Sequence, residues 1–512
     1  MVIDVIVLVL YVLMMIGVAF YTKNRSGSVN DFLLAGKKGL NGWMTAFAYG
    51  TTYFSAVIFI GYAGQFGRSF GLASIWIGVG NAILGTLIAW LVLAKRTKNM
   101  TMRLQSKTMP DFFEKRYDSK ALKIVSAVII FVFLIPYSAS VYNGLSSLFE
   151  IVFGIEGWIV MIALALLTAL YLFFGGYFAT ALSDFIQGII MIIGVVLMII
   201  FFLNSGNVNW DISSIVNNPN LTWFTFNSSN TGFYGSTVSL ISLMLLTSLG
   251  VWALPQTVHK YYAIRDKKAI TQGVVVSTVF ALIIGFVAYF TGALSSLFPE
   301  VAHVPDSQVI PQMLKIVIPV GLTGVIAVLI LSASMSTLSS VSLASASVVA
   351  VDIYQNAKKD VSDKKVNTVM RVLCLVFVAI SVILAILNEE LKLTAIAYMM
   401  GISWGTLAGC FIGPFVLGVI WKGVTKPAAW TSIISSLALT VILIFVFGYD
   451  INGWVCDIGT AIKSGVSCSP TIGVICMIFS LVITTVVSLF TKKPNEEILY
   501  RAFDMPVENE IK

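Results

Sequence analysis

Between Leu331 and Ser347 the chain reads LSASMSTLSSVSLASAS, nine hydroxyl side chains in seventeen residues inside a long apolar run. Ser336, Ser339 and Ser340 follow an i, i+3, i+4 spacing that puts them on one face of a helix. Hydroxyl oxygens are hard, neutral donors. Joined by backbone carbonyls freed from helical hydrogen bonding, they suit Na+ better than a transition metal, which takes His or Cys. Ser and Ala also let membrane helices approach closely and hydrogen-bond across the contact, so the stretch by itself fits packing as well as ion binding. The other chemically distinctive residue is Asp184, in YFATALSDFIQGIIMIIG. It is the one acidic side chain expected in the middle of an apolar span, where a charge costs several kcal/mol unless paired or hydrated. No basic residue is expected at comparable depth, so a bound cation is the expected partner. Local capping near the end of the span is the alternative.

The elements that position these residues follow from composition. Of 512 residues 58% are hydrophobic and 11% charged, and mean hydropathy is +0.93. A soluble domain of this length would need far more surface charge. A bilayer-spanning helix takes roughly 20 apolar residues. Runs of that kind are expected at about thirteen places: 2–22, 39–66, 71–95, 122–149, 157–175, 177–203, 232–256, 270–297, 312–352, 367–387, 393–421, 428–448 and 470–491. The chain reads as an all-α polytopic membrane protein.

The net charge of +8 does not point to nucleic acid, because Lys and Arg gather in alternate loops. The clusters are Lys23, Arg25, Lys37 and Lys38, then 95–116, then Lys260, Arg265, Lys267 and Lys268, then Lys358, Lys359, Lys364 and Lys365, and later Lys422, Lys426, Lys492 and Lys493. Segment 204–231 has neither residue. This positive-inside pattern places the N-terminus outside and the C-terminus in the cytoplasm of a cell-membrane protein. The first span lacks the basic n-region and cleavage site of a removable signal. Five cysteines show no metal or redox spacing; Cys456 and Cys468 bracket an outside loop, and their pairing is left open. His259 and His303 are placed in loops on opposite sides, which argues against a His-based metal site. No phosphate-binding glycine loop precedes a soluble helix, so ATP-driven pumping is disfavoured. No nucleophile–base pair or metal cluster supports an enzyme.

Spans two to six and seven to eleven form two sets of five, and because five is odd the second set enters the membrane inverted. The first member of each set is interrupted, by Ala48–Tyr53 in one and by Thr247–Gly250 in the other. Broken helices near the midplane expose carbonyls and half-helix ends to ions and substrates, a design common in secondary transporters.

With these features in place, the chain resembles the sodium/solute symporter family, which contains proline, pantothenate, sugar, sialate and iodide carriers. The likeness runs through DFLLAGKKGLNGW at 31–43, YFSAVIFIGYAG at 53–64, TMPDFFEKRYDSKALK at 108–123, FFGGYFATALSDFIQG at 173–188, LPQTVHKYYAIRDKKA at 254–269 and MSTLSSVSLASASVVAVDIY at 335–354. VPDSQVIPQMLKIVIP at 304–319 adds to a likeness with the pantothenate and proline branches, and YFSAV at 53–57 is also similar to the iodide and vitamin carriers. The resemblance implies two inverted five-helix repeats of the type first described for a bacterial leucine transporter: a flanking helix at 1–30, repeats at 31–203 and 232–421 around an outside loop at 204–231, two further helices at 422–491 and a tail at 492–512. It also implies a first Na+ site made by the carbonyls of Thr51, Phe54 and Ala333 with the hydroxyls of Ser336 and Thr337. Asp184, Ser336, Ser339 and Ser340 match a second Na+ site found in some members. One or two coupling ions are therefore expected, with import by alternating access.

Substrate contacts are expected from Tyr53, Ser55 and Gln65, Asn81, Tyr137, Ser140 and Asn143, and Thr247, Ser248 and Trp252. Each also fits an ordinary interhelical contact. The Arg with which sialate carriers grip a carboxylate is missing from the fourth span, and Val57 and Ile58 stand where the sugar branch has polar groups. A vitamin or organic acid such as pantothenate, or an amino acid such as proline, is left. A proton-coupled carrier using Asp184 as relay and a transporter-like sensor remain the alternatives.

Overall fold

The structure, a computed structural model, describes residues 2–23, 28–34, 40–218, 221, 223, 236–319, 321–358 and 361–506. Arg25, Lys37, Lys38, Lys359 and, within the outside loop at 204–231, residues 219, 220, 222 and 224–231 lie outside those residues. Among the described residues eleven helices are long and apolar enough to cross a membrane. Two of them are each too long for one crossing. Val57–Leu104 turns at Gly71, and Gly157–Leu203 folds back at Gly176, where φ is 59° and ψ is −156°. A single helix of 47 residues would reach about 70 Å, more than twice the ~30 Å hydrocarbon core. Dividing both gives thirteen crossings.

The helices used below are α1 (Val2–Thr22), α2 (Gly42–Tyr53), α3 (Val57–Gly67, wound as a π-helix), α4 (75–104), α5 (Met109–Tyr117), α6 (Lys120–Phe153), α7 (Gly157–Leu203), α8 (Ser236–Leu249), α9 (Pro255–Tyr262), α10 (Lys267–Ala293), α11 (Asp306–Val317), α12 (Thr323–Ser347), α13 (Asp363–Leu391), α14 (Ile396–Ile412), α15 (Lys426–Asn452) and α16 (Ser469–Phe490). Among the described residues no strand forms beyond a single bridge between Leu40 and Ile264. Polar residues start the helices where caps are needed. Asn41 Oδ1 accepts from the Met44 amide at 2.8 Å, and Asp266 Oδ1 accepts from that of Ala269 at 2.8 Å.

Burial separates core from rim. The most apolar window of α12 is 94% buried and that of the span containing α14 is 89%, against 28% for α1 and 33% for α15. The hydroxyl-rich helix is thus the axis of the molecule, enclosed on all sides. Small residues set the distances between central helices: a Cβ on Gly405 of α14 would stand 2.9 Å from the Gly473 Cα of α16.

Two expected boundaries are corrected. The apolar stretch 312–352 is not one span; α11 ends at Val317 and a separate crossing runs over Thr323–Ala357. His259 and Lys260 do not lie in a loop. They belong to α9, which starts at Pro255, and both are buried.

Candidate functional site

The broken helices come first, because they free the carbonyls. The α2 helix stops at Tyr53, Phe54 turns to φ −102°, ψ 116°, and winding resumes at Ala56, a few residues beyond the expected Ala48–Tyr53 interruption. In the second set α8 ends at Leu249, Gly250–Trp252 forms a tight turn, and α9 begins at Pro255. The two breaks meet: the Tyr53 hydroxyl donates to the Thr247 carbonyl.

The α2 break faces α12. Ser336 Oγ lies 3.1 Å from the Thr51 carbonyl and 3.0 Å from that of Ala333. Thr337 Oγ1 lies 3.3 Å from the Thr52 carbonyl and 3.1 Å from that of Ala333. Five oxygens of two helices therefore converge, all buried. Phe54, also buried, stands at the break itself, with no hydroxyl contact to its carbonyl among those described. In this arrangement the hydroxyls donate to the carbonyls; rotated away, they present lone pairs beside the same carbonyl oxygens, the donor set a hard monovalent cation needs.

Asp184, on the second limb of α7, is fully buried as expected, but it is not without a basic neighbour. Lys260 Nζ, 1% exposed by side chain, lies 3.4 Å from Asp184 Oδ2 and donates to Ser340 Oγ at 2.9 Å. Ser340 Oγ in turn lies 2.9 Å from Thr52 Oγ1, and the ammonium sits 5.1 Å from the centre of the Tyr177 ring. This overturns the expectation that no cationic side chain reaches Asp184. The physical reason is the α8–α9 break, which folds a basic-looking stretch back against α7 and α12. Ser339 points elsewhere: its hydroxyl bonds the Ser336 carbonyl of its own helix at 2.9 Å.

The structure groups some of the expected substrate residues and separates others. Tyr53 stacks on Trp404 of α14 at 5.9 Å and 13°, and Tyr137 of α6 meets the same indole edge-on at 5.4 Å and 77°. All three are buried, and the Tyr137 hydroxyl and Trp404 Nε1 have no hydrogen-bond partner. Asn81 Oδ1 accepts from Thr247 Oγ1 at 2.8 Å and from Ser248 Oγ at 3.1 Å, leaving its Nδ2 unpartnered. Ser55 Oγ accepts from the Val57 amide at 3.2 Å and so starts α3. Ser140 bonds back to the Tyr137 carbonyl at 2.7 Å. Asn143 donates to the Ala385 carbonyl at 2.8 Å and accepts from Asn388 at 3.1 Å, which uses it in packing. Gln65 donates to the Tyr398 hydroxyl at 2.6 Å, and Trp252 Nε1 to the Leu84 carbonyl at 2.9 Å.

Besides the buried Lys260, two groups were missed by sequence reasoning. Trp404 is one; its signal is a single large aromatic in the small-residue run GISWGTLAG. The other is a charged cluster on the lysine-rich face, where Lys123 Nζ lies 3.1 Å from Asp111, 2.9 Å from Glu114 and 3.6 Å from the fully buried Asp352. Burial raises the Asp111 carboxyl, but Lys123, Lys115 and the Lys107 amide outweigh it and leave the group below the ordinary carboxylate range.

With this geometry the comparisons with known proteins agree. The model of the sodium:solute symporter family matches residues 32–436. The chain belongs to the sodium:solute symporter family. Relatives of this symporter include the osmoregulated proline transporter OpuE of Bacillus subtilis, 29% identical over 506 residues and covering 96% of each chain. A sodium/proline symporter of Staphylococcus aureus is 28% identical, covering 96% of this chain and 93% of its own. Among solved structures, a Na+-coupled sialic acid symporter in a substrate-bound outward-open state superposes with a TM-score of 0.73 at 19% identity, over 96% of this chain and 98% of that one. The nucleobase-cation symporter Mhp1 gives 0.50 at 11% identity, over 93% and 98%. The fold is therefore of the LeuT type, and the family is one of sodium-coupled carriers of small solutes.

Proposed function

We propose that this symporter imports L-proline or a closely similar small amino acid together with Na+. The supporting observation is the Tyr53–Trp404–Tyr137 aromatic cluster lying beside both helix breaks, in a chain similar from end to end to carriers named for proline. A pyrrolidine ring is compact and apolar and packs on aromatic faces. Without a buried Arg at the fourth span, the substrate carboxylate is best met by backbone amides at the start of α3, where the half-helix presents its positive end. Pantothenate has a longer polar chain that this cluster would not cover.

The first cation position is the convergence of Thr51, Ala333, Ser336 and Thr337 between α2 and α12. An ion there ties the two helices together, and a ligand shifts the alternating states only by its differential affinity for them. At the second position the Lys260 ammonium already stands between Asp184 and Ser340, with Thr52 next to it. We infer one Na+ per cycle while Lys260 is docked, and a relay of protons by Asp184 is disfavoured because its carboxylate is held by that ammonium. The lysine-rich loops support an outside N-terminus and a cytoplasmic C-terminus.

Uptake of labelled L-proline into proteoliposomes tests this reading. An inward Na+ gradient should drive accumulation where equal K+ or a proton gradient does not, and Trp404→Ala should raise KM at least tenfold with Na+ binding intact. Accumulation of pantothenate but not proline would overturn the substrate, and proton-driven uptake without Na+ would overturn the coupling.

A further inference from the structure

On the lysine-rich face a cavity of about 210 Å³ lies between the end of α5, the start of α15 and the chain leaving α16. Four cationic residues line it: Arg116, Lys426, Lys492 and Lys493, with Asp118 as the one carboxylate. They come from three stretches of chain more than sixty positions apart, so no local sequence run explains the cluster.

Arg116 is built into the protein. It is 1% exposed, donates through Nε to the Gly418 carbonyl at 3.1 Å and through Nη2 to that of Trp421 at 3.2 Å, and its plane lies 5.2 Å from the Tyr117 and Phe503 ring centres. Its Nη1 has no hydrogen-bond partner. Among the described residues no carboxylate contacts this buried guanidinium, which carbonyls and rings hold, an arrangement that favours an anion at the cavity it lines. Lys426 spends one donor on the Asp118 carbonyl, at 2.8 Å, and keeps two. The 27-residue α15 begins at Lys426, capped by Thr425, and adds the partial positive charge of its N-terminus.

Position identifies the anion's source. Lys426 opens one apolar crossing, and Lys492 and Lys493 follow another at Phe490, a residue 86% exposed after a 68% exposed Leu489. The cavity therefore sits where hydrocarbon-facing surface gives way to charge, the level of lipid phosphates. We propose that it binds the phosphate of an anionic phospholipid, with the unpartnered Arg116 Nη1 supplying one charged donor and the three lysines the surrounding positive charge. The same guanidinium, with Lys422, holds Phe503, and Lys422 pairs with Asp504 at 2.8 Å, so the bound headgroup lies beside the docking place of the C-terminal segment. The inference is independent of the transported solute.

Native mass spectrometry of the purified full chain tests it, with phosphatidylglycerol, phosphatidylcholine and inorganic phosphate as probes. Wild type should retain one phosphatidylglycerol in preference to phosphatidylcholine. Lys492→Gln/Lys493→Gln, exposed positions whose change leaves the helices intact, should lower that retention at least tenfold, and Arg116→Lys should lower it in protein that still binds Na+. Lys364→Gln/Lys365→Gln, on the same face but away from the cavity, should not lower it. Equal retention of phosphatidylcholine, equal loss in the Lys364/Lys365 variant, or displacement of the lipid by millimolar inorganic phosphate would overturn the proposal.

Discussion

Lys260 decides what Asp184 is able to do. A lone carboxylate at that depth invites a mobile cation, whereas a carboxylate 3.4 Å from a buried ammonium is already matched. Removing one partner of such a pair leaves an uncompensated buried charge and costs on the order of 3–5 kcal/mol. Lys260→Met should therefore melt well below wild type in choline chloride, and Na+ should restore much of the loss by taking the vacated place between Asp184, Ser340 and Thr52. Na+ that stabilises the variant no more than wild type would show that the ammonium's place is not a cation site. The hydroxyl run and Asp184 were legible in the sequence because such residues are rare in apolar spans. Lys260 was not, because HKYYAIRDKK has the composition of a loop and only the Pro255 restart of α9 buries it. Trp404 was hidden for a related reason: aromatic residues are common in membrane helices, and its partners Tyr53 and Tyr137 lie on other helices hundreds of positions away.

The breaks after Tyr53 and Leu249 put carbonyls, hydroxyls and the aromatic cluster at one level, and Gly and polar residues announced both, to within a few positions. The fold-back in α7 was legible as two spans meeting at Gly176, but its tightness was not. A φ of 59° with ψ −156° belongs to Gly almost alone, and a Cβ there would stand 2.8 Å from the Phe32 ring. Gly176→Ala should cost about 1–3 kcal/mol and lower the melting temperature in detergent. Because the turn sets where the second limb of α7 enters, the variant should also weaken the Asp184–Lys260 contact; an unchanged melting temperature would contradict the strained turn. The error over 312–352 has an equally plain cause. Val317 and Thr323 are separated by a short apolar connection, so hydropathy runs on while the backbone turns. The Asp111–Lys123–Asp352 cluster joins α5 to α6 and to the continuation of α12. Since the Asp111 pKa is lowered in the folded state, its contribution is present above the ordinary carboxylate pKa and is lost only as pH falls through the lowered value.

At the scale of the molecule, α12 is the most enclosed of the described crossings, and it meets the broken α2 where the Ser336 and Thr337 hydroxyls reach the Thr51 and Thr52 carbonyls. A cation between Thr51 and Ser336 would stabilise the contact between α2 and α12, and that contact is what substrate at the aromatic cluster would sense. Thirteen crossings and the family were legible from hydropathy and the ordered motif blocks. The packing that encloses α12 was not, since apolar residues face lipid and protein alike in a membrane chain. The most direct test is equilibrium binding of 22Na+ to the purified protein, wild type against Ser336→Ala, with no substrate present. The account predicts saturable binding of one ion to wild type, weakened at least tenfold (about 1.4 kcal/mol) in a Ser336→Ala variant that remains folded. Binding that is saturable and unchanged in Ser336→Ala, or absent from folded wild type, would contradict it.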